Sequence, residues 1–237
     1  MPKEISFNKY QVRAADYHWQ QVSRNLFRFN AYVTARYGQV AKLIPRNSQR
    51  RILDVGCGDG VLLSLIGQGR LYGVDPDQDS LDFAAAKIKA KLVRAKAEKL
   101  PFSNNFFDVV LATEIIEHLP RPELMLQEIN RVLKKGGRAI ITTPVKQPGG
   151  LTDPLHAQEF YPWELKQICR QYFRKVKVIT SHPLWLKRVY TWSLGQIGRY
   201  HLDFGRWLIN FLVLISGWNP FISLPGRPTQ QLALCQK

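Results

Sequence analysis

Ten residues constrain this chain more than any others: Arg51 to Gly60, reading RILDVGCGDG. Ile52, Leu53 and Val55 form a short apolar strand pattern, and three glycines follow at two-residue spacing, Gly56, Gly58 and Gly60. Helix-like sequence, VLLSLI, begins at once. Glycine lets the backbone turn sharply at a strand end and approach a ligand with no Cβ in the way. A glycine turn between a strand and a helix is the element with which open α/β sheets hold nucleotide-like ligands.

The following sequence continues the alternation. Apolar and β-branched runs predict strands at 52–55, 71–74, 92–94, 107–112, 138–142 and 174–180. Helical periodicity predicts helices at 60–67, 79–91, 122–134 and 162–171. Strands separated by helices imply a parallel, doubly wound sheet. Ahead of it, apolar residues such as Val22, Leu26, Phe29 and Val33 recur at three- and four-residue spacing, predicting N-terminal helices. After Thr143-Pro144 a Pro/Gly-rich loop, VKQPGGLTDPLH, has the composition of a lid. The expected organisation is an N-terminal helical cap at 1–48, an α/β domain at 49–180 and an aromatic, basic, helical C-terminal extension at 181–237.

Charge divides the chain in the same way. The net +16 lies at the two ends: residues 1–50 carry nine Lys/Arg against two Asp/Glu, and residues 151–237 carry eleven against four. Residues 51–150 are near balance, with fourteen against twelve. Basic ends suit an anionic membrane surface, RNA or an acidic substrate. The cysteines, Cys57, Cys169 and Cys235, are odd in number and far apart, which excludes a disulfide framework or a paired-cysteine metal site and fits a reducing, cytoplasmic setting. No apolar signal-peptide core is present in MPKEISFNKY. The most hydrophobic stretch, Trp207 to Trp218, falls short of the roughly 20 residues a membrane span needs. With Arg199 and Arg206 nearby it reads equally as an interfacial helix at lipid headgroups or as a core helix closing a pocket.

Further motifs narrow the ligand. Asp75, in LYGVDPD, stands where the second strand ends and can accept hydrogen bonds from both hydroxyls of a ribose. Asp54, just before the turn, can fix the loop or meet a ligand ammonium. ILDVGCGDG followed by GVDPD resembles the first motif and the acidic second-strand end of class I S-adenosylmethionine-dependent methyltransferases. AEKLPF at 97–102, FDVVLATEIIEHL at 107–119 and LKKGGRAIITTP at 133–144 follow in that family's order. The resemblance covers about residues 50–180 and implies a Rossmann-like, mostly parallel seven-stranded sheet with S-adenosylmethionine as cofactor. It places Gly56, Gly58 and Gly60 against the cofactor's methionine and ribose, Asp75 at the ribose hydroxyls, Ala97 and Glu98 at the adenine, and Thr113 and Glu114 near the sulfonium. The chain departs at Lys96, where many relatives carry an aspartate that accepts from the adenine amino group; lysine has no acceptor.

Glu114-Ile115-Ile116-Glu117-His118 is the second informative group. On a helix, Glu117 and His118 share a face with Glu114. Two carboxylates and an imidazole suit a divalent cation such as Mg, and His156 in the lid sequence can supply a fourth ligand. This set resembles metal-dependent O-methyltransferases of two kinds, one acting on catechol-like quinone precursors and one on the ribose 2′-hydroxyl of small RNAs. In metal-free relatives the histidine can be a general base, and an imidazole with its pKa of about 6.5 suits that work. The expected activity is methyl transfer to the oxygen of a hydrophobic small molecule, quinone-like or lipid-linked, with His118 and Glu117 at the acceptor and a peripheral membrane setting. An RNA 2′-O-methyltransferase and a non-catalytic assembly protein keeping this fold are the alternatives.

Overall fold

The computed structural model describes residues 16–45, 48–192, 196–197, 200–201 and 203–237; Arg199 lies outside them. Two helices come first, α1 (Tyr17–Val22) and α2 (Ala31–Leu43), the second capped by Asn30, whose side chain accepts from the Val33 amide at 3.2 Å. The alternating region then forms β1 (Arg51–Val55), α3 (Val61–Ile66), β2 (Arg70–Asp75), α4 (Gln78–Lys87), β3 (Lys91–Arg94), β4 (Phe107–Thr113), α5 (Pro122–Val132), β5 (Leu133–Pro144), α6 (Pro162–Arg170) and β6 (Lys175–Pro183). Beyond it lie α7 (Leu184–Tyr190), a two-residue hairpin of β7 (Gln196–Ile197) and β8 (Tyr200–His201), α8 (Phe204–Ser216), α9 (Pro220–Ser223) and β9 (Pro228–Gln236).

The sheet has seven strands in the order β3-β2-β1-β4-β5-β9-β6, with β1 to β5 parallel and β9 antiparallel to both its neighbours. The mostly parallel, doubly wound expectation holds. Side chains alternate between its two faces, as strand geometry requires. Leu53, Val55, Val110, Ala112 and Ile141 join one core with Met125, Leu126 and Ile129 of α5 and Leu165 of α6. Ile52, Val109, Leu111 and Ile140 join the other with Val40 of α2, Leu62 of α3 and Leu81 of α4. A third core ties the two ends of the chain together through Phe29, Ala31 and Ala35 on one side and Leu186, Ile209, Val213 and Phe221 on the other.

The structure corrects three expectations. The C-terminal region is helical over α7, α8 and α9, but its last stretch is strand β9, seated between β5 and β6, so the sheet does not end near residue 180. The helix expected to run to residue 91 ends at Lys87, because Ile88 is extended and its side chain packs under Gly60. The helix expected to reach 134 ends at Val132, because Leu133 already pairs with Phe107 in β5.

Candidate active site

The glycine turn is held from two sides. Gly56, Gly58 and Gly60 have φ of +73°, +48° and +77°, in the left-handed region that favours glycine. A Cβ on Gly56 would lie 2.5 Å from Ile115 Cγ2, and one on Gly60 would lie 2.8 Å from Ile88 Cδ1. The first of these distances puts the 114–118 segment directly against the turn. Asp75 fixes the loop: Oδ2 accepts from the Gly58 amide at 2.8 Å and Oδ1 from the Asp77 amide at 2.9 Å. A carboxylate at this strand end is the group that accepts from ribose hydroxyls in nucleotide-binding sheets of this kind. The 95–99 turn carrying Ala97 and Glu98 docks beside it, with the Ala95 amide 3.1 Å from the Asp75 carbonyl oxygen. Lys96 points to solvent. Thr113 ends β4 opposite Thr142, and its buried hydroxyl has no protein partner.

Electrostatics at the turn suit a cation. Asp54 is 2 % exposed, and its Oδ1 has no partner. Burial, then Asp75 and Asp59, push its carboxyl well above the usual carboxylate range. A ligand bringing an ammonium and a sulfonium beside these acids relieves that repulsion, so the residues present fit S-adenosylmethionine. Cys57 is a packed thiol: burial first, then Asp54, raises it far above its ordinary value, and a Cβ on Gly73 would lie 2.7 Å from its sulfur. It is no nucleophile.

At the end of β4 the expected helix does not form. Glu114 sits at φ +55°, and only a single 3₁₀ turn, Ile116–His118, follows. Glu114 therefore stays outside the group that Glu117 and His118 form, although it lines the same cavity. Its carboxylate takes hydrogen bonds from Arg36 Nη1 at 2.9 Å, Thr142 Oγ1 at 2.9 Å and Gln230 Nε2 at 3.1 Å. Burial alone would lower the Arg36 guanidinium, but Glu114, with Tyr37 and Tyr32, outweighs it and holds Arg36 above its usual range. The four-ligand metal set thus loses Glu114. Glu117, His118 and His156 do converge, each offering a ligand atom within 4.8 Å of the others.

These three side chains are held from behind. Glu117 is 1 % exposed and accepts from Thr143 Oγ1 at 2.9 Å; burial, then Glu114, push its carboxyl well above the usual range. His118 Nδ1 lies 3.1 Å from the Leu155 carbonyl oxygen. A carbonyl can only accept, so the proton of this bond sits on Nδ1. His156 Nδ1 meets Glu159 Oε1 at 2.6 Å, an oxygen that also takes the Thr152 amide at 2.8 Å. The lid sequence is tied down, since the Ala157 and Gln158 amides bond to the Glu117 carbonyl at 2.8 and 3.1 Å.

The cluster opens into a cavity of about 650 Å³. Tyr17, His18, Tyr32 and Arg36 of the N-terminal helices wall one side, and Leu184, Lys187, Arg188 and Thr191 another. His18 reaches the site by bonding Asp59: its Nδ1 lies 3.1 Å from Oδ2, while Trp19 Nε1 donates to the Asp59 carbonyl at 2.8 Å. Helix α1 is thereby latched to the glycine turn. Sequence reasoning missed Arg36, Gln230, Thr143 and Glu159. Arg36, Gln230 and Thr143 act on residues 78, 116 and 26 positions away, so nothing local distinguishes them; Glu159, three residues from His156, and Asp59, inside GCGDG, had a readable local signal.

Comparison with known proteins agrees with this geometry. A methyltransferase domain family (type 11) matches residues 53–141. The chain is 35% identical over 103 residues to an uncharacterized methyltransferase of Schizosaccharomyces pombe, covering 37% of each chain. It is 30% identical over 116 residues to the sterol 4-C-methyltransferase strm-1 of Caenorhabditis elegans, covering 45% of this chain and 35% of that protein. These matches reach little more than a third of either relative's length. A crystal structure of an S-adenosylmethionine-dependent methyltransferase, a possible histamine N-methyltransferase, from Thermotoga maritima superposes with a TM-score of 0.65 at 18% identity, covering 96% of this chain and 98% of that one. Glycine turn, strand-end acid and strand order thus agree with the family match, and this chain carries a class I S-adenosylmethionine-dependent methyltransferase domain of type 11.

Proposed function

We propose that the chain transfers the methyl group of S-adenosylmethionine to a hydroxyl oxygen of a hydrophobic small molecule, quinone-like or lipid-linked, with His118 taking the acceptor proton. The observation that carries this reading is the place of His118, tied through Nδ1 to the Leu155 carbonyl and lining a cavity that abuts the glycine turn. When bound, the cofactor supplies an electrophilic methyl on a sulfonium. The chain's part is to hold the acceptor in line with that methyl and to remove its proton as the oxygen attacks. Tyr17, Tyr32, Val145 and Leu155 give the cavity an apolar and aromatic lining that suits a ring or chain. The sterol methyltransferase among the relatives supports a hydrophobic acceptor.

Glu117, His118 and His156 would also hold a divalent cation, which would lower the pKa of a bound hydroxyl. Two imidazoles and one carboxylate favour a transition-metal ion over Mg, which takes oxygen ligands. Glu159 behind His156 and the Leu155 carbonyl behind His118 are the outer partners such ligands require.

His118→Ala should lower turnover by about 10²- to 10⁴-fold, measured as label transfer from S-adenosylmethionine to a lipid extract. Its cofactor affinity by calorimetry should be nearly unchanged. Turnover surviving both His118→Ala and chelation would overturn the assignment.

A further inference from the structure

Helix α8 is apolar on both sides. Gly205, Ile209, Asn210 and Val213 face the protein, while Trp207, Leu208, Phe211, Leu212 and Ile215 face outward, with Ile215 69% exposed. Phe204, Trp207 and Phe211 stack in sequence along the outer face, with ring centroids 6.4 and 5.5 Å apart. Helix α7 packs against α8, and Trp185 and Val189 on it and Trp192 just beyond it are exposed as well. No helix among the described residues is long and apolar enough to cross a membrane. Exposed apolar and aromatic side chains gathered on two packed helices mark an interaction site.

The surroundings choose among partners. Within the described residues of 184–218, the bases Arg188 and Arg206 stand against the single acid Asp203, while Lys187 lies over the Tyr32 ring in the cavity. An apolar face bordered by bases, with tryptophans near its edges, matches the headgroup boundary of an anionic bilayer. The same helix α7 also walls the acceptor cavity through Leu184, Lys187, Arg188 and Thr191. Two of these, Arg188 and Thr191, are exposed and sit at the cavity's outer edge, next in sequence to Val189 and Trp192 of the apolar surface.

We propose that α7 and α8 dock the protein on an anionic lipid surface and that the acceptor enters the cavity past Arg188 and Thr191 directly from that surface. The substrate class is then a membrane lipid or a lipid-dissolved small molecule. This second part rests on the acceptor reading above; the docking does not.

The test is co-sedimentation of the full chain with vesicles of phosphatidylcholine containing phosphatidylglycerol, against vesicles of phosphatidylcholine alone. Binding is expected to the first, to weaken as salt rises, and to fall at least ~10-fold in Trp207→Ser/Phe211→Ser/Ile215→Ser. Calorimetry with S-adenosylmethionine should give the triple variant the parent's affinity, showing that the fold persists. Docking is read without turnover, so its failure and that of the acceptor reading are separable. Three outcomes overturn the proposal: no sedimentation with anionic vesicles; sedimentation that the triple variant retains; or, by light scattering, a dimer that the triple variant splits, with no vesicle binding.

Discussion

Gly56 shows how one residue serves backbone, packing and ligand together. Its φ of +73° excludes most side chains, and the space a Cβ would need is filled by Ile115 Cγ2. Gly56→Ala must therefore strain the turn and push away the segment that carries Glu117 and His118. The expected loss is about 1–3 kcal/mol of stability, with a parallel loss of cofactor affinity. Thermal melts and calorimetry on the purified variant check both, and unchanged affinity would mean the glycine is needed only for the turn. Glu114 teaches the opposite lesson at this scale. Its type and spacing suggested a metal ligand, but its left-handed backbone turns its carboxylate toward Arg36.

Among elements, the Arg36–Glu114 pair joins α2 to the end of β4, and Gln230 brings in β9. Both side chains are largely buried, 13% and 11% exposed, so each charge depends on the other. Removing one partner of a buried pair costs about 3–5 kcal/mol, whereas replacing both with matched neutral groups costs far less. Glu114→Gln should accordingly lower the urea midpoint sharply, and Arg36→Met with Glu114→Gln should recover much of the loss. A double variant no better than the single one would mean that the pair does not bear on stability. Helix α2 is bound by such contacts to the sheet and by the third core to α7, α8 and α9, so a cap expected only at the N-terminus is built from both ends of the chain.

For the whole molecule, His182 makes a pH dependence that can be measured. It is fully buried, its Nε2 lies 2.9 Å from the Tyr32 carbonyl and its Nδ1 2.7 Å from Ser181 Oγ. Burial, with a lesser contribution from Arg36, pushes its pKa down to about 4. The unfolded imidazole takes a proton near pH 6.5 and the folded one does not. Its share of stability is therefore intact above about pH 6.5 and lost as pH falls toward 4, amounting to about 3 kcal/mol. Asp54 and Glu117, whose carboxyls are raised in the fold, act with the opposite sign at acid pH. The comparison must therefore be with His182→Asn, which tolerates the φ of +60° at this position. Melts between pH 7.5 and 4.5 should show a shallower acid loss in the variant, and parallel curves would refute the assignment.

How much of this was legible depends on how far apart the cooperating residues lie. The glycine turn, Asp75 and the alternation of strands and helices are local patterns, set by backbone sterics and side-chain period, and they led from sequence to the sheet and its cofactor. β9 was not legible. QLALC is buried on both faces between β5 and β6, so it lacks the alternation that marks a half-buried strand. Nor were Arg36 and Gln230, whose partner Glu114 is reached only when distant segments meet. The sequence by itself determined the fold class and the cofactor turn, because those follow from short-range geometry. Tertiary structure alone decided that Glu114 belongs to an ion pair, that Glu117, His118 and His156 share one cavity, and that α7 faces both that cavity and an exposed apolar surface. Those outcomes depend on which buried charges find partners and which apolar faces find none, and only the packed chain settles either.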